Sequence, residues 1–276
     1  MVAEYGVVTD ANSEFYYSNV SSITTNFNVN PYYDDFDDSK NYYKILFKPG
    51  FSVQARELTQ IGSILQDQIQ KFGQHVFNEG SMVLGGKFFI DTRAHYVKVA
   101  DKDSLGNTVD ISIFQGQVVT GQTTGIQAYV NLVLDGNEGT DKPKTLYVSY
   151  LTGNPDTDEV HFSANEPLVA NVGTLVVGNN VPVGYGSVFT LSEGVRFCKQ
   201  HFIHHDKQTV VLDRYDIHPT CKVGFVLEES IVDASQDSTL LDPALESSNY
   251  SAPGADRFMI TPILTRLDIT DVAGFP

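Results

Sequence analysis

Hydrophobic residues recur every three or four positions between residues 52 and 78, and this spacing predicts one long amphipathic helix. The apolar positions form a single stripe, which consists of Leu58, Ile61, Leu65, Ile69, Phe72 and Val76. Polar residues, many of them glutamines, fill most of the remaining positions. Ser52 is a suitable N-cap, and Glu57 lies in the first turns, where the helix dipole favours an acid.

The chain before this helix, residues 1–51, is predicted to form an extended arm. Asn30 precedes a proline, which biases it towards an extended conformation. Acidic residues in the arm alternate with aromatic ones, namely Tyr32, Tyr33, Phe36, Tyr42 and Tyr43. Two interpretations remain open: a solvated loop whose rings pack locally, or a strap that presses the rings onto a neighbouring subunit. Aromatic rings suit the second role because they bury a large area with few rotatable bonds.

After residue 86 the pattern changes from helical to alternating, with short segments rich in Val, Ile, Tyr, Phe and Thr bounded by turn residues. The predicted strands are 87–99, 109–114, 126–134, 145–151, 173–178, 186–191, 209–215, 222–232 and 258–269, and Pro262 suggests an edge position for the last. The predicted fold class is therefore mainly β with one long N-terminal α-helix. We expect a β-sandwich-like main domain, residues 79–99 and 193–270, with a small β domain inserted at 100–192.

Three segments carry a resemblance to a known family. They are LFKPGFSVQARELTQIGSILQDQIQKFGQHVFNEGSMV at 46–83, QTVVLDRYDIHPTCKVGFVLEESIV at 208–232 and DSTLLDPALESSNYSAPGADRFMI at 237–260, together 87 of the 276 residues. They resemble, in this order, an uncharacterised family of tailed-bacteriophage virion structural proteins, often from contractile-tailed phages including cyanophages. Residues 100–192 carry no part of this resemblance.

The resemblance implies a virion structural protein of the tail, baseplate or tail-fibre region, made in the host bacterial cytoplasm. It implies partners among other tail, baseplate or fibre subunits, and no catalytic residues come with it. Because fibres are often three-fold, a homo-oligomer, preferably a trimer, is expected. Two alternatives stay open: a receptor- or glycan-binding tail module that uses Tyr129, Tyr147 and Tyr150 on exposed loops, and an enzyme that degrades a cell-envelope polymer.

Composition narrows the possible partners. The formal net charge of −16 disfavours nucleic acid and anionic lipid, because both need clustered Lys and Arg. Acidity instead favours solubility before assembly. The sequence has no stretch of about 20 apolar residues, so no membrane insertion is expected. The two cysteines, Cys198 and Cys221, are expected to be reduced thiols.

Candidate chemistry is sparse. His201, His204, His205 and His218 lie near the two cysteines in sequence, but strand geometry would not bring three or four of them together on one zinc ion. The acidic run at 35–41 lacks the Gly and the Glu of a calcium loop, which Lys40 and Leu46 replace. No spacing selects a carboxylate pair for glycoside hydrolysis. We therefore predict no catalytic, cofactor-binding or metal residues and no enzyme activity.

The central expectation concerns the apolar surface of the arm and helix and whether the chain itself can cover it. The arm and helix together carry more apolar side-chain surface than a small β domain can cover, so other molecules must cover the rest. If Tyr32, Phe36 and Leu65 were all sheltered within their own chain, this expectation would fail.

Overall fold

The protein is described here by a computed structural model that covers residues 22–137, 139–153 and 160–271. Within these ranges it contains one α-helix and thirteen strands, so the predicted class, mainly β with one long helix near the N-terminus, is confirmed. The strands are distributed over three sheets of eight, three and two strands.

The helix, α1, spans Ala55–Val76 and is shorter at both ends than the predicted 52–78. Ser52 is not its N-cap; that position is held by Gln54, whose backbone N–H donates to Glu57 Oε2 at 2.8 Å. Glu57 is the third residue of the helix, so its side chain reaches back across the first turn and sets where the helix begins. The helix ends where Phe77 N–H bonds to Gly73 O at 2.8 Å.

The strands begin directly after the helix. Their bounds, in chain order, are β1 Ser81–Gly85, β2 Phe88–Lys98, β3 Val118–Gly121, β4 Gln127–Leu134, β5 Thr145–Tyr150, β6 Pro167–Ala170, β7 Gly173–Val176, β8 Val183–Leu191, β9 Gly194–Cys198, β10 His201–His205, β11 Gln208–Asp213, β12 Cys221–Val232 and β13 Arg257–Asp268. The predicted strand at 109–114 is wrong: Ile111–Phe114 is a 3-10 helix. Asp110 caps it, because its carboxylate accepts from Ser112 N–H at 2.9 Å.

The largest sheet has the order β11-β8-β2-β5-β4-β3-β6-β7. It runs across the expected boundary between residues 99 and 100, because β2 pairs with β8 on one edge and with β5 on the other. One face of this sheet carries a continuous buried core of Val97, Val99, Val109, Ile111, Phe114, Val119, Ile126, Ala128, Val130, Leu146, Val148, Phe162, Leu168, Leu175 and Val177. Every member lies between residues 97 and 177. The expected division into two domains remains a prediction.

The other two sheets connect this body to α1 and the arm. In the three-stranded sheet, β9 lies between β1 and β10. β12 and β13 form a two-stranded ribbon of twelve residue pairs, in which Pro262 lies opposite Leu227. The Gln208 side chain fastens the ribbon to β11: its amide donates to Pro262 O and accepts from Leu264 N–H, both at 2.7 Å.

Candidate assembly interface

The predicted apolar stripe is present on α1 as one straight band. An α-helix turns about 100° per residue, so the six side chains span an arc of about 80° along about 27 Å of helix. Every helical position in that arc carries an uncharged residue. The six residues of this helix stripe are Leu58, Ile61, Leu65, Ile69, Phe72 and Val76.

All six side chains of the helix stripe are exposed within the described chain. Leu65 is 59% exposed and Phe72 is 65% exposed, which is far from the burial of a core residue. Apolar residues aligned on one face in this way form a continuous patch, and large exposed patches mark interaction sites. The helix stripe is therefore surface that the described part of the chain leaves uncovered.

The opposite, mostly polar face of α1 is the one that packs against the rest of the protein. Ser63 Oγ and the Gln60 amide donate to the carboxylates of Asp34 and Asp35 in the arm. Gly73 is buried against the ring of Phe197, where an added Cβ would lie 2.5 Å from a ring carbon. This orientation is the reverse of an ordinary surface helix, which turns its apolar face inward.

The part of the arm between residues 22 and 36 packs onto its own chain. Tyr32 Oη donates to Asp256 Oδ2 at 2.6 Å, and this hydrogen bond raises the pKa of Tyr32. Phe36 is half-buried and lines a groove of about 600 Å³ between the arm, α1 and β13. The rings of Phe27 and Phe258 meet edge to face with centroids 5.0 Å apart. Tyr32 and Phe36 thus contact their own ribbon and helix.

The other three arm rings that were predicted to form the interface are exposed. Tyr33, Tyr42 and Tyr43 are exposed, as is the apolar chain that leads into α1, namely Leu46, Phe47, Phe51 and Val53. The run at the start of β2, Phe88, Phe89 and Ile90, is exposed as well. The helical and alternating patterns of the sequence did not single out these last two sets, although three consecutive apolar residues on a strand must point to both faces of the sheet.

A buried carboxylate holds the arm to the ribbon. Glu229 on β12 accepts from Thr24 N–H at 2.9 Å and from Thr25 N–H at 2.8 Å, and it forms an ion pair with Lys199 Nζ at 2.6 Å. The two side chains of the pair are only 6% and 9% exposed. Burial alone would raise the pKa of Glu229, but the hydrogen bonds from Lys199, Thr25 and Thr24 outweigh it and hold the pKa at about 2.

The tyrosines considered for receptor or glycan binding do not lie on loops as expected. Tyr129 is on β4, and Tyr147 and Tyr150 are on β5. Tyr147 is buried, and its hydroxyl donates to Arg214 O at 2.9 Å. Burial raises the pKa of Tyr150 to about 12. Of the three rings, Tyr129 is the one with substantial exposure.

The positions of the His, Cys, Asp and Glu side chains bear on metal and thiol chemistry. Among the described residues, no three His, Cys, Asp or Glu side chains are grouped so that they could hold a metal ion. Cys198 and Cys221 are not joined to each other, and burial raises the pKa of the Cys198 thiol to about 11. In the described ranges, no helix has the length and apolar content that a bilayer crossing requires.

Comparison with known protein families yields a match for part of the chain. Residues 30–104 match a family described as "Domain of unknown function (DUF4815)". This segment contains the second part of the arm, all of α1 and the strands β1 and β2. No curated protein matches the chain, and no solved structure does.

Proposed function

We propose that this protein is a structural component of a bacteriophage tail, baseplate or tail-fibre attachment region and acts through subunit–subunit contacts. The observation that carries the proposal is the orientation of α1, whose helix stripe is exposed while its polar face packs inward. The resemblance of residues 46–83, 208–232 and 237–260 to virion structural proteins supports the same reading.

The proposed mechanism is geometric. A partner that packs on the helix stripe removes six apolar side chains from water, and complete burial of such a side chain contributes about 1.5–3 kcal/mol. Part of this energy is lost to ordering and association, so the net affinity is smaller. The large sheet, with its own buried core, then forms a rigid body whose position is determined by the helix contact.

The stripe geometry favours a particular kind of packing. Successive stripe residues are 3, 4, 4, 3 and 4 positions apart, which averages 3.6 and matches a straight α-helix. A left-handed coiled coil requires a period of 3.5. We therefore propose that neighbouring helices pack straight. The preference for a trimer rests on the resemblance to proteins of the fibre region, since fibres are often three-fold. An uncharged arc also lets copies of a chain with net charge −16 approach each other.

The test changes one stripe residue in the complete virion. Leu65→Glu places a charge in the proposed contact, and burial of an unpaired charge is strongly unfavourable. We expect incorporation of the variant into purified particles to fall at least tenfold, measured by mass spectrometry. The isolated protein should keep its melting temperature, since Leu65 lies outside the core.

Leu105→Glu is the matched control. Leu105 is 87% exposed on the connection between β2 and β3 and does not belong to the helix stripe. This control should be incorporated normally. Normal incorporation of Leu65→Glu would overturn the proposal that the helix stripe is a subunit contact. If the complete particle lacked the wild-type protein altogether, the structural role itself would fail.

A further inference from the structure

A cleft on the outer face of the large sheet has no role in the proposed assembly contacts. β2 pairs with β8 from Phe88 to Val97, but with β5 only from His95 to Lys98. β5 itself continues alongside β4 as far as Tyr150. The two strands therefore diverge, and between them lies a cleft of about 590 Å³. Ligand pockets for small molecules are commonly about 300–1,000 Å³.

The cleft has an apolar floor and a polar rim. Tyr147 and Val188 are buried in the floor, and Ala94 and Leu132 pack against them. Tyr129 stands at the side with 40% of its surface exposed. The rim carries groups that donate and accept hydrogen bonds, namely Asp91, Arg93, Asn131, Thr190, Lys207 and Thr209.

Two cations in this cleft are unusual for such an acidic chain. The sequence has 34 acidic and 18 basic residues, yet Arg93 and Lys207 both line the cleft. Within the described ranges, neither side chain has a carboxylate at ion-pair distance, whereas Lys199 and Lys71 do. Both cations line the same cleft, and each can bind a carboxylate, which Arg holds through two parallel hydrogen bonds.

The remaining rim groups can donate hydrogen bonds to hydroxyls or accept them. Thr190 Oγ1 and Thr209 Oγ1 lie 3.0 Å apart, and Asn131 Nδ2 donates to Ser149 Oγ at 2.8 Å. Asp91 Oδ1 accepts from Arg93 N–H at 2.9 Å, and its second oxygen can accept from a ligand hydroxyl. The exposed ring of Tyr129 offers a flat apolar surface for the C–H face of a sugar ring.

We propose that this cleft binds an acidic saccharide, with a carboxylate held by Arg93 or by Lys207 and one sugar ring against Tyr129. A nucleic acid fits less well, because phosphate recognition requires a larger basic surface and this chain carries a net charge of −16. The cleft is built from residues other than the helix stripe, so this proposal and the assembly role can fail independently.

The test measures binding of three defined acidic saccharides to the full chain by calorimetry: trigalacturonate, a hyaluronan tetrasaccharide and sialyllactose. Each is paired with its methyl ester, which keeps the ring and removes the charge. We expect at least one acid to bind and its ester to bind about tenfold more weakly or worse, because a charge-assisted hydrogen bond contributes more than a neutral one. Inorganic phosphate and a ten-nucleotide single-stranded DNA should bind more weakly than that acid.

Variants assign the binding to the cleft. Arg93→Gln with Lys207→Gln should weaken binding about tenfold or more, and Tyr129→Ala should weaken it about fivefold. Lys142→Gln removes an exposed lysine on the connection between β4 and β5, outside the cleft, and should leave binding unchanged. Melting temperatures confirm that each variant is folded.

Four results would overturn the proposal. These are no binding of any of the three acids, equal binding of acids and esters, binding unaffected by the cleft variants, and binding of phosphate or DNA as tight as that of the best saccharide.

Discussion

Two regions of this protein are stabilised in different ways. The large-sheet region, residues 97–191, encloses a core whose members are almost completely removed from water. The region made of arm residues 22–51, α1 and the β12–β13 ribbon has few buried side chains and keeps its apolar helix stripe exposed. Its internal contacts are largely polar, between Asp34 and Ser63, between Tyr32 and Asp256, and between Glu229 and Thr25.

This difference distinguishes the part of the chain that stabilises the fold from the part that presents uncovered apolar surface. A buried core of close-packed apolar side chains stabilises a fold without any partner. Directional polar contacts position the arm and helix but leave apolar area available for another molecule. A region of this kind is stable enough to present its surface and gains further stability when that surface is covered.

The largest expected effect compares the same substitution in the two regions. Phe114→Ala removes a ring that is 1% exposed in the core, and it should lower the free energy of unfolding by about 3–5 kcal/mol. Phe72→Ala removes a ring from the exposed helix stripe and should change it by less than about 0.5 kcal/mol in the monomer. Urea unfolding at low protein concentration measures both. Equal losses would remove the distinction between the regions.

The next effect concerns the buried Glu229 carboxylate, which bonds to Thr24, Thr25 and Lys199 and holds the arm to the ribbon. Glu229→Gln leaves the buried Lys199 ammonium without its carboxylate, which should cost about 3 kcal/mol. It should also speed proteolysis of residues 22–51, because Thr24 and Thr25 lose a charged acceptor. Glu228→Gln changes the exposed neighbour and serves as the control. If the two variants were equally stable, the Glu229 carboxylate would have no role in holding the arm.

The same carboxylate predicts a pH dependence. The pKa of Glu229 is lowered from an ordinary value of 4.5 to about 2, so the folded state favours the ionised form. Its contribution to stability is therefore complete above about pH 5 and is lost as the pH falls from 4.5 towards 2. Wild type should lose this contribution on acidification, and Glu229→Gln should not. Parallel pH profiles of the two proteins would contradict the assignment.

The smallest effect tests the exposed ion pairs of the helix. Lys71 Nζ lies 2.9 Å from Asp67 and 3.5 Å from Asp38, and its side chain is about half exposed. Lys71→Ala should change the free energy of unfolding by less than about 0.5 kcal/mol, and the change should shrink in 1 M salt. Thermal melts at two salt concentrations measure it. A loss above about 1.5 kcal/mol would show that the arm–helix contact depends on this cluster.

The spacing of apolar residues predicted secondary structure correctly where one periodicity dominates a segment. The helix at 55–76 and the paired strands β12 and β13 follow from spacing alone, since a stripe or an alternation needs only its own segment. It failed where side-chain capping competes: the alternation at 109–114 resembles a strand, but Asp110 bonds to Ser112 and closes a 3-10 turn. The helix start was also misplaced, because Glu57 rather than Ser52 determines it.

The two candidate sites, the helix stripe and the cleft, also differ in how far the sequence predicts them. The helix stripe was identified from the sequence residue by residue, whereas the cleft was not, because Arg93, Tyr129, Thr190 and Lys207 belong to different strands or their connections. Only the register of β2 with β8 and the early end of its pairing with β5 bring them together.

The sequence by itself determined that α1 has an apolar face and a polar face, because the two are separated by the fixed turn of the helix. Only the tertiary structure decided which face points outward. That choice depends on contacts between residues far apart in the chain: Gly73 against Phe197, Ser63 with Asp34, and the arm held at Glu229. Such contacts turn the polar face inward and leave the apolar one exposed, and no local pattern contains that information.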